Sequence, residues 1–193
     1  MPLSLSTVQI ALERTVTPVV APKRAAVALI LTPEFDVIFI RRAEYPGDPW
    51  SGHIAFPGGR VERSDRDARS AAERETREEL GFDLSNTQYL GALDHVAPVG
   101  GLKPLAIEPF VYWTHVEPLF SPNNEVAQVF RVPLTALQNG IGRGRMTYAW
   151  MGQSVELPCI DFHEARLWGL TLRIVDDLLH RLDGRGTGLE RSP

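Results

Sequence analysis

Hydrophobic and polar positions alternate between two periods along the chain. Ala25–Leu31 is a short apolar run and predicts a buried strand. Val37–Arg41 is rich in β-branched residues and predicts a second strand, with Pro33 to Asp36 turning between them. Gln88–Leu93, Ala106–Trp113 and Val126–Val132 predict further strands, and Met146–Trp150 with Ser154–Leu157 predicts a late hairpin around Gly152. Helical spacing takes over in three places. Asp67–Leu80 holds Ala, Glu and Arg without Gly or Pro, which favours a helix. Asp65 or Ser64 can cap its start, and Gly81 can close its end in a left-handed conformation with Phe82 folding back. Pro133–Gln138 predicts a short helix. Leu167–Leu182 predicts an amphipathic one, with Leu167, Leu170, Thr171, Ile174, Leu178 and Leu182 on one face.

The polar stretches divide these elements. Residues 1–24, broken by Pro2, Pro18 and Pro22, are expected to be an N-terminal arm or short strand. Ala43–Gly59 carries three prolines and four glycines and predicts a loop, as does Asp94–Pro104. The Gly- and Arg-rich residues 183–193 are expected to be a flexible tail. Residues 25–182 then form one domain, mixing strands and helices as an α/β fold. A length of 193 residues suits a single core, and a 44% hydrophobic content is ordinary for a globular chain.

Charge and cysteine content narrow the partners. A formal net charge of −4 gives no basic surface for nucleic acid. No run of about 20 apolar residues predicts a membrane span, so a cytoplasmic location is expected. The lone Cys159 has no intrachain partner and reads as a buried small hydrophobe. The partner expected is a small-molecule diphosphate; a homodimer stays open.

The candidate chemistry lies in the acidic helix. Glu75, Glu78 and Glu79 fall at i, i+3 and i+4 and share one side, while Ala72, Thr76 and Leu80 share another suited to a sheet. Like charges about 4 Å apart at an effective dielectric of about 20 repel by about 4 kcal/mol per pair. Splaying into solvent relieves that repulsion, and so does a divalent cation. An oxygen-only set suits Mg²⁺ or Mn²⁺ rather than zinc. The adjacent Phe56-Pro57-Gly58-Gly59 lets the backbone turn tightly beside the helix.

This combination resembles the Nudix hydrolase family. The family box runs Gly, five residues, Glu, seven residues, Arg-Glu, apolar, any, Glu-Glu, any, Gly, apolar. Here it is carried by Gly59, Arg74-Glu75, Thr76, Glu78-Glu79, Gly81 and Phe82. Asp65 stands in the place of the first Glu, eight residues rather than seven separate it from Arg74, and Thr76 replaces an aliphatic residue. The resemblance implies a Nudix-type α/β/α sandwich with a mixed sheet and a loop-helix-loop metal site. It also implies metal ligands at Glu75 and Glu79, with Glu78 assisting and the Gly58 carbonyl as a further ligand, and Mg²⁺ or Mn²⁺ as cofactor. Arg74 would orient a glutamate. Glu125, just before a strand, is implied as a second-metal ligand or general base, with Glu78 and Glu108 as competitors for that role.

A narrower similarity, to coenzyme A pyrophosphatases within the family, rests on Gly52–Gly59 and on Trp168-Gly169-Leu170-Thr171. Arg42, Ala43 and Gly52 match that subgroup's specificity motif, but Gly47 stands near the place of its second Arg. The similarity implies cleavage of a diphosphate linkage in coenzyme A or a derivative, with Arg42 on a substrate phosphate. His53, Trp50, Tyr148 and Trp150 are candidates to line the site, each also readable as a packing residue. Nucleoside triphosphates, ADP-sugars and dinucleoside polyphosphates are alternative substrates. A non-catalytic nucleotide-binding module is the alternative of another class.

Overall fold

The structure, a computed structural model, describes residues 3–47, 50–98, 105–150, 152–162 and 165–184. Strand β1 (Lys23–Leu31) lies at the centre of a mixed sheet, parallel to β6 (Leu105–Trp113) on one side. On its other side it meets β4 (Gly58–Arg60) along its first half and β2 (Asp36–Arg42) at its end, both antiparallel. Strand β2 also pairs with β3 (Ile54–Ala55) and β7 (Val126–Pro133), and β5 (Gln88–Ala92) pairs with β6. The predicted loop Ala43–Gly59 therefore contains two short strands. They place Gly58 and Gly59 against the start of β1, with Val27 opposite Gly58 and Ala26 opposite Gly59.

The period-2 alternation of β1 sends its side chains into two separate cores. Ala26, Ala28 and Ile30, with Ile38, Ile40 and Tyr112, pack against Ala68, Ala71, Ala72 and Leu80 of helix α2 (Ala68–Leu80). Leu29 and Leu31, with Val37, Phe39 and Val111, pack against Leu172, Val175, Leu178 and Leu179 of helix α4 (Gly169–Leu182). The sheet thus lies between helical layers, as the α/β/α expectation has it.

Three elements differ from the sequence reading. Leu5–Leu12 is helix α1, not an arm or strand. Ser4 caps it by accepting from Thr7 N, and Val8 and Leu12, four residues apart, are buried in the α4-side core. The prolines flank this segment without entering it. The late hairpin is longer than expected, β8 (Arg143–Trp150) with β9 (Gln153–Phe162), and gains a third strand, β10 (Ala165–Trp168). Leu167 therefore belongs to a strand, and the buried side of α4 runs through Leu172, Val175, Leu178 and Leu179. Leu134–Gln138 forms the short helix α3. The Asp94–Pro104 expectation lies partly outside the described residues, and the tail from residue 185 wholly so. Cys159 is buried. Among the described residues no helix is long and apolar enough to cross a membrane.

Candidate active site

Helix α2 starts and stops where its sequence dictates. Asp67, not Asp65 or Ser64, is the cap: Ser70 N donates to Asp67 Oδ1 at 2.7 Å, and Asp67 N donates to Ser70 Oγ at 3.0 Å. Gly81 ends the helix at φ 63° and donates its N–H to the Arg77 carbonyl. Thr76 occupies an aliphatic position without an unmet polar group, because its hydroxyl donates to the Ala72 carbonyl at 2.7 Å while the residue is fully buried.

The three glutamates share a side of this helix but not an environment. Glu79 is 2% exposed, and one oxygen accepts from Gly58 N at 2.8 Å. Burial pushes its pKa up to about 7, helped by the charges of Glu75 and Glu125 and opposed by the Gly58 N–H and Arg42. Glu75 lies directly under the glycine bend. A Cβ on Gly59 would stand 2.4 Å from its Cδ and Oε1. Burial also raises the Glu75 pKa; Arg74 opposes the rise, and Glu78 and Glu125 add to it. Glu78 is half exposed.

Arg74 ties this group together. Its Nε and Nη2 donate to the two carboxylate oxygens of Asp65 at 3.0 and 3.1 Å, a bidentate pair. Its Nη1 reaches Glu75 at 3.0 Å and Glu78 at 3.2 Å, and Nη2 also donates to the Arg60 carbonyl. Arg74 holds the Asp65 carboxyl below the usual carboxylate range. The sequence reading gave Asp65 a capping role; its job is to anchor Arg74. The longer loop before the helix is accommodated by a turn in which Glu62 N donates to Asp65 Oδ2 at 2.8 Å.

Glu125 reaches the same place from another part of the chain. Residues 121–123 bond to the end of α2, with Ser121 N on the Leu80 carbonyl and Asn123 N on the Glu79 carbonyl. Glu125 N then donates to Asn123 Oδ1, and its carbonyl accepts from Ala43 N at 2.8 Å. Its side chain is close enough for its charge to act on both Glu75 and Glu79. Arg42, at a bulge at the end of β2, is near enough to Glu79 to favour its ionised form. Glu108 is engaged elsewhere. It accepts two bonds from Arg24, at 2.7 and 2.9 Å, and its side chain is 15% exposed. That ion pair occupies the carboxylate that the resemblance offered as a competing general base. His53 and Tyr148 each pack a ring against Trp168 at 4.9 Å. Tyr45, which no motif singles out, donates its hydroxyl to the Asn124 carbonyl at 3.1 Å.

Among the described residues, no three His, Cys, Asp or Glu side chains converge as a finished ligand set. The donors nonetheless fit a hard cation. They are all oxygens, Glu79 is buried and Glu75 partly so, and the charge of Glu75 adds to the resistance of Glu79 to ionisation, a repulsion that a divalent ion removes.

The NUDIX domain family matches residues 22–151. The uncharacterized Nudix hydrolase NudL of Pectobacterium atrosepticum is 27% identical over 190 aligned residues, covering 92% of each chain. The mitochondrial Nudix hydrolase 15 of Arabidopsis thaliana is 30% identical over 165 residues, covering 80% of this chain and 56% of that one. Among solved structures, a MutT protein from Methanosarcina mazei Go1 superposes with a TM-score of 0.53 at 16% identity, covering 91% of this chain and 99% of the other. At that identity the likeness is one of fold.

Proposed function

The chain belongs to the Nudix family of hydrolases, and we propose that it cleaves the diphosphate linkage of a nucleoside-diphosphate derivative, with coenzyme A or a coenzyme A derivative as the leading candidate. The observation that carries the proposal is the pairing of Glu79 with the Gly58 N–H and of Glu75 with the face of Gly59. It brings a buried and a partly buried carboxylate together at a glycine bend.

In this reading Glu75 and Glu79 hold Mg²⁺ or Mn²⁺, with Glu78 and the Gly58 carbonyl completing the protein's share. Such an ion offsets charge on the diphosphate oxygens and makes water a stronger acid. The protein's own groups do the rest. Arg74, fixed by Asp65, sets the Glu75 and Glu78 side chains. Arg42 meets a phosphate oxygen. Glu125, held by its backbone to Ala43 and Asn123, accepts a proton from the attacking water. Water attacks one phosphorus in line and the other phosphate leaves. Coenzyme A would yield phosphopantetheine and adenosine 3′,5′-bisphosphate.

Glu78 is the second candidate base, but it is half exposed and bonded to Arg74. The test is a substrate panel in Mg²⁺ and in Mn²⁺, with products resolved by chromatography. The panel contains coenzyme A and its acyl forms, NADH, ADP-ribose, nucleoside triphosphates and dinucleoside polyphosphates. Metal-dependent cleavage between the phosphates of a nucleoside-diphosphate derivative is expected. Tight nucleotide binding without turnover of any of them would overturn the proposal in favour of a binding module.

A further inference from the structure

Trp168-Gly169-Leu170-Thr171 takes no part in the chemistry proposed for the acidic helix, yet it lies against the strand that leads into the glycine bend. That strand, β3, is only Ile54 and Ala55, and it forms an edge of the sheet. Backbone groups point to alternate sides along a strand. Arg42 N donates to the His53 carbonyl, so His53 presents its carbonyl to β2 and Ile54 presents its own to the outside. Ile54 is buried, and a buried carbonyl needs a partner. The Thr171 hydroxyl supplies it, donating to the Ile54 carbonyl at 3.0 Å from 117 residues away. Trp168, which precedes α4, adds a second contact by packing its ring edge-on against His53 at 4.9 Å.

The two parts of the candidate site leave β3 in opposite directions. On one side His53 bonds to Arg42 through the backbone. On the other the chain passes through Phe56, stacked on Phe39 at 4.8 Å, and Pro57, whose carbonyl accepts from Ala28 N at 2.8 Å. It then enters Gly58 and Gly59, over Glu79 and Glu75. We propose that Thr171 is a positioning residue: its bond to the Ile54 carbonyl fixes β3, and through β3 the glycine bend and Arg42 relative to one another. The inference rests on the reading of that bend as the cation site, and it names what braces the bend from the far side of the chain. Without the hydroxyl, the Ile54 carbonyl is left buried and unpaired, and β3 relieves that only by shifting toward water. A two-residue strand has few bonds of its own to resist the shift. A displacement of about 1 Å in positioned groups is worth on the order of 100-fold in rate.

The test compares Thr171→Val, which keeps the side-chain shape without the hydroxyl, and Thr171→Ser, which keeps the hydroxyl, with the unaltered chain. All are measured below the lowest melting temperature of the three. Turnover is read on coenzyme A and ADP-ribose in saturating Mn²⁺. Binding of Mn²⁺ alone is read from the loss of the free-ion electron paramagnetic resonance signal. Thr171→Val is expected to lower kcat by roughly 10- to 100-fold. It should also weaken Mn²⁺ binding by roughly 3- to 10-fold, the worth of one lost hydrogen bond. Thr171→Ser should keep both within about 2-fold of the parent. A Val variant that melts earlier but keeps parental kcat and parental Mn²⁺ binding shows a merely structural threonine and overturns the proposal. Equal losses in the Val and Ser variants overturn it too, because the hydroxyl is then not the cause. Should Thr171→Val not fold, Thr171→Ala replaces it under the same criteria. If the unaltered chain binds Mn²⁺ but cleaves neither substrate, the parent reading of the reaction fails separately and the Mn²⁺ titration decides. Binding weakened in the Val variant and restored in the Ser variant supports the brace; equal binding in all three, or none, overturns it.

Discussion

Gly58 and Gly59 are neighbours that should fail in opposite ways when given a methyl group. At Gly59 the added Cβ would stand 2.4 Å from the Glu75 Cδ and Oε1, and 2.7 Å from its Oε2. The obstructing atoms are the end of a flexible side chain, which can retreat by about 1 Å to reach ordinary contact. The backbone there needs no left-handed conformation, so the loss of stability should stay within about 1 kcal/mol, and the stiffer unfolded chain offsets part of it. Glu75, however, can no longer sit under the bend. A misplacement of about 1 Å in a positioned group costs on the order of 100-fold in rate. At Gly58 the methyl group would meet the Ala26 carbonyl at 2.2 Å and the Val27 Cα at 2.6 Å, which are backbone atoms, at a φ of 148°. Strain and overlap together should cost about 3 kcal/mol or more, roughly 6–12 °C in Tm for a chain of this size. Thermal melts and Mg²⁺ titrations of turnover on the two purified variants make the comparison. Gly59→Ala is expected to melt within about 4 °C of the parent and to lose about 100-fold in kcat/KM. A Gly59→Ala protein with parental turnover and parental Mg²⁺ dependence would refute the placement of Glu75 in the machinery.

Asp65→Ala removes both acceptors of the Arg74 fork and should lower stability by about 1–3 kcal/mol; kcat should fall with it, as read by melts and turnover in saturating Mg²⁺. Glu79 has a folded pKa raised from its unfolded 4.5 to about 7, so it binds its proton more tightly in the folded state. Metal-free protein should therefore lose stability as pH rises from about 4.5 through 7. Glu79→Gln should remove that loss, leaving the variant equal to the parent near pH 4 and more stable by about 3 kcal/mol at pH 8 in urea titrations with chelator present; parallel pH dependences in the two proteins would contradict this. Arg181 is 2% exposed and bonds Asp177 and Asp94 at 3.1 and 2.9 Å. Arg181→Ala should destabilise by about 1–3 kcal/mol, because it removes a buried guanidinium and strands the largely covered Asp177 carboxylate, Asp94 being more open to water, while kcat at a temperature below its melt stays near parental.

The site was legible where one short stretch of chain sets the geometry. The i, i+3, i+4 spacing places Glu75, Glu78 and Glu79 on one side of α2, and Gly81 stops that helix as its type predicts. What spacing does not carry is depth. Glu79 is buried and Glu78 half exposed because the Gly58 end of β4 covers only part of that side, and this follows from pairing with β1, a strand some thirty residues earlier. Asp65 was misjudged for a similar reason. Its carboxylate is a good cap in isolation, but Asp67 is one residue from the helix and takes that role, leaving Asp65 to Arg74. The helix α1 was obscured by its flanking prolines, although Ser4 and the four-residue spacing of Val8 and Leu12 were visible signs. The β10 strand exists through its pairing with β9, so no local pattern separates it from the helix that follows. The link from Tyr45 to Asn124 spans 79 residues and has no local signature.

The central claim is that Glu75 and Glu79, gathered at the Gly58–Gly59 bend, hold a divalent cation that the reaction needs. Crystals of the protein soaked in Mn²⁺ and measured at the manganese absorption edge test it most directly. An anomalous peak about 2.1 Å from carboxylate oxygens of both Glu75 and Glu79 is predicted. A peak seated away from both residues, or none in crystals of a preparation that turns over in Mn²⁺, would contradict it.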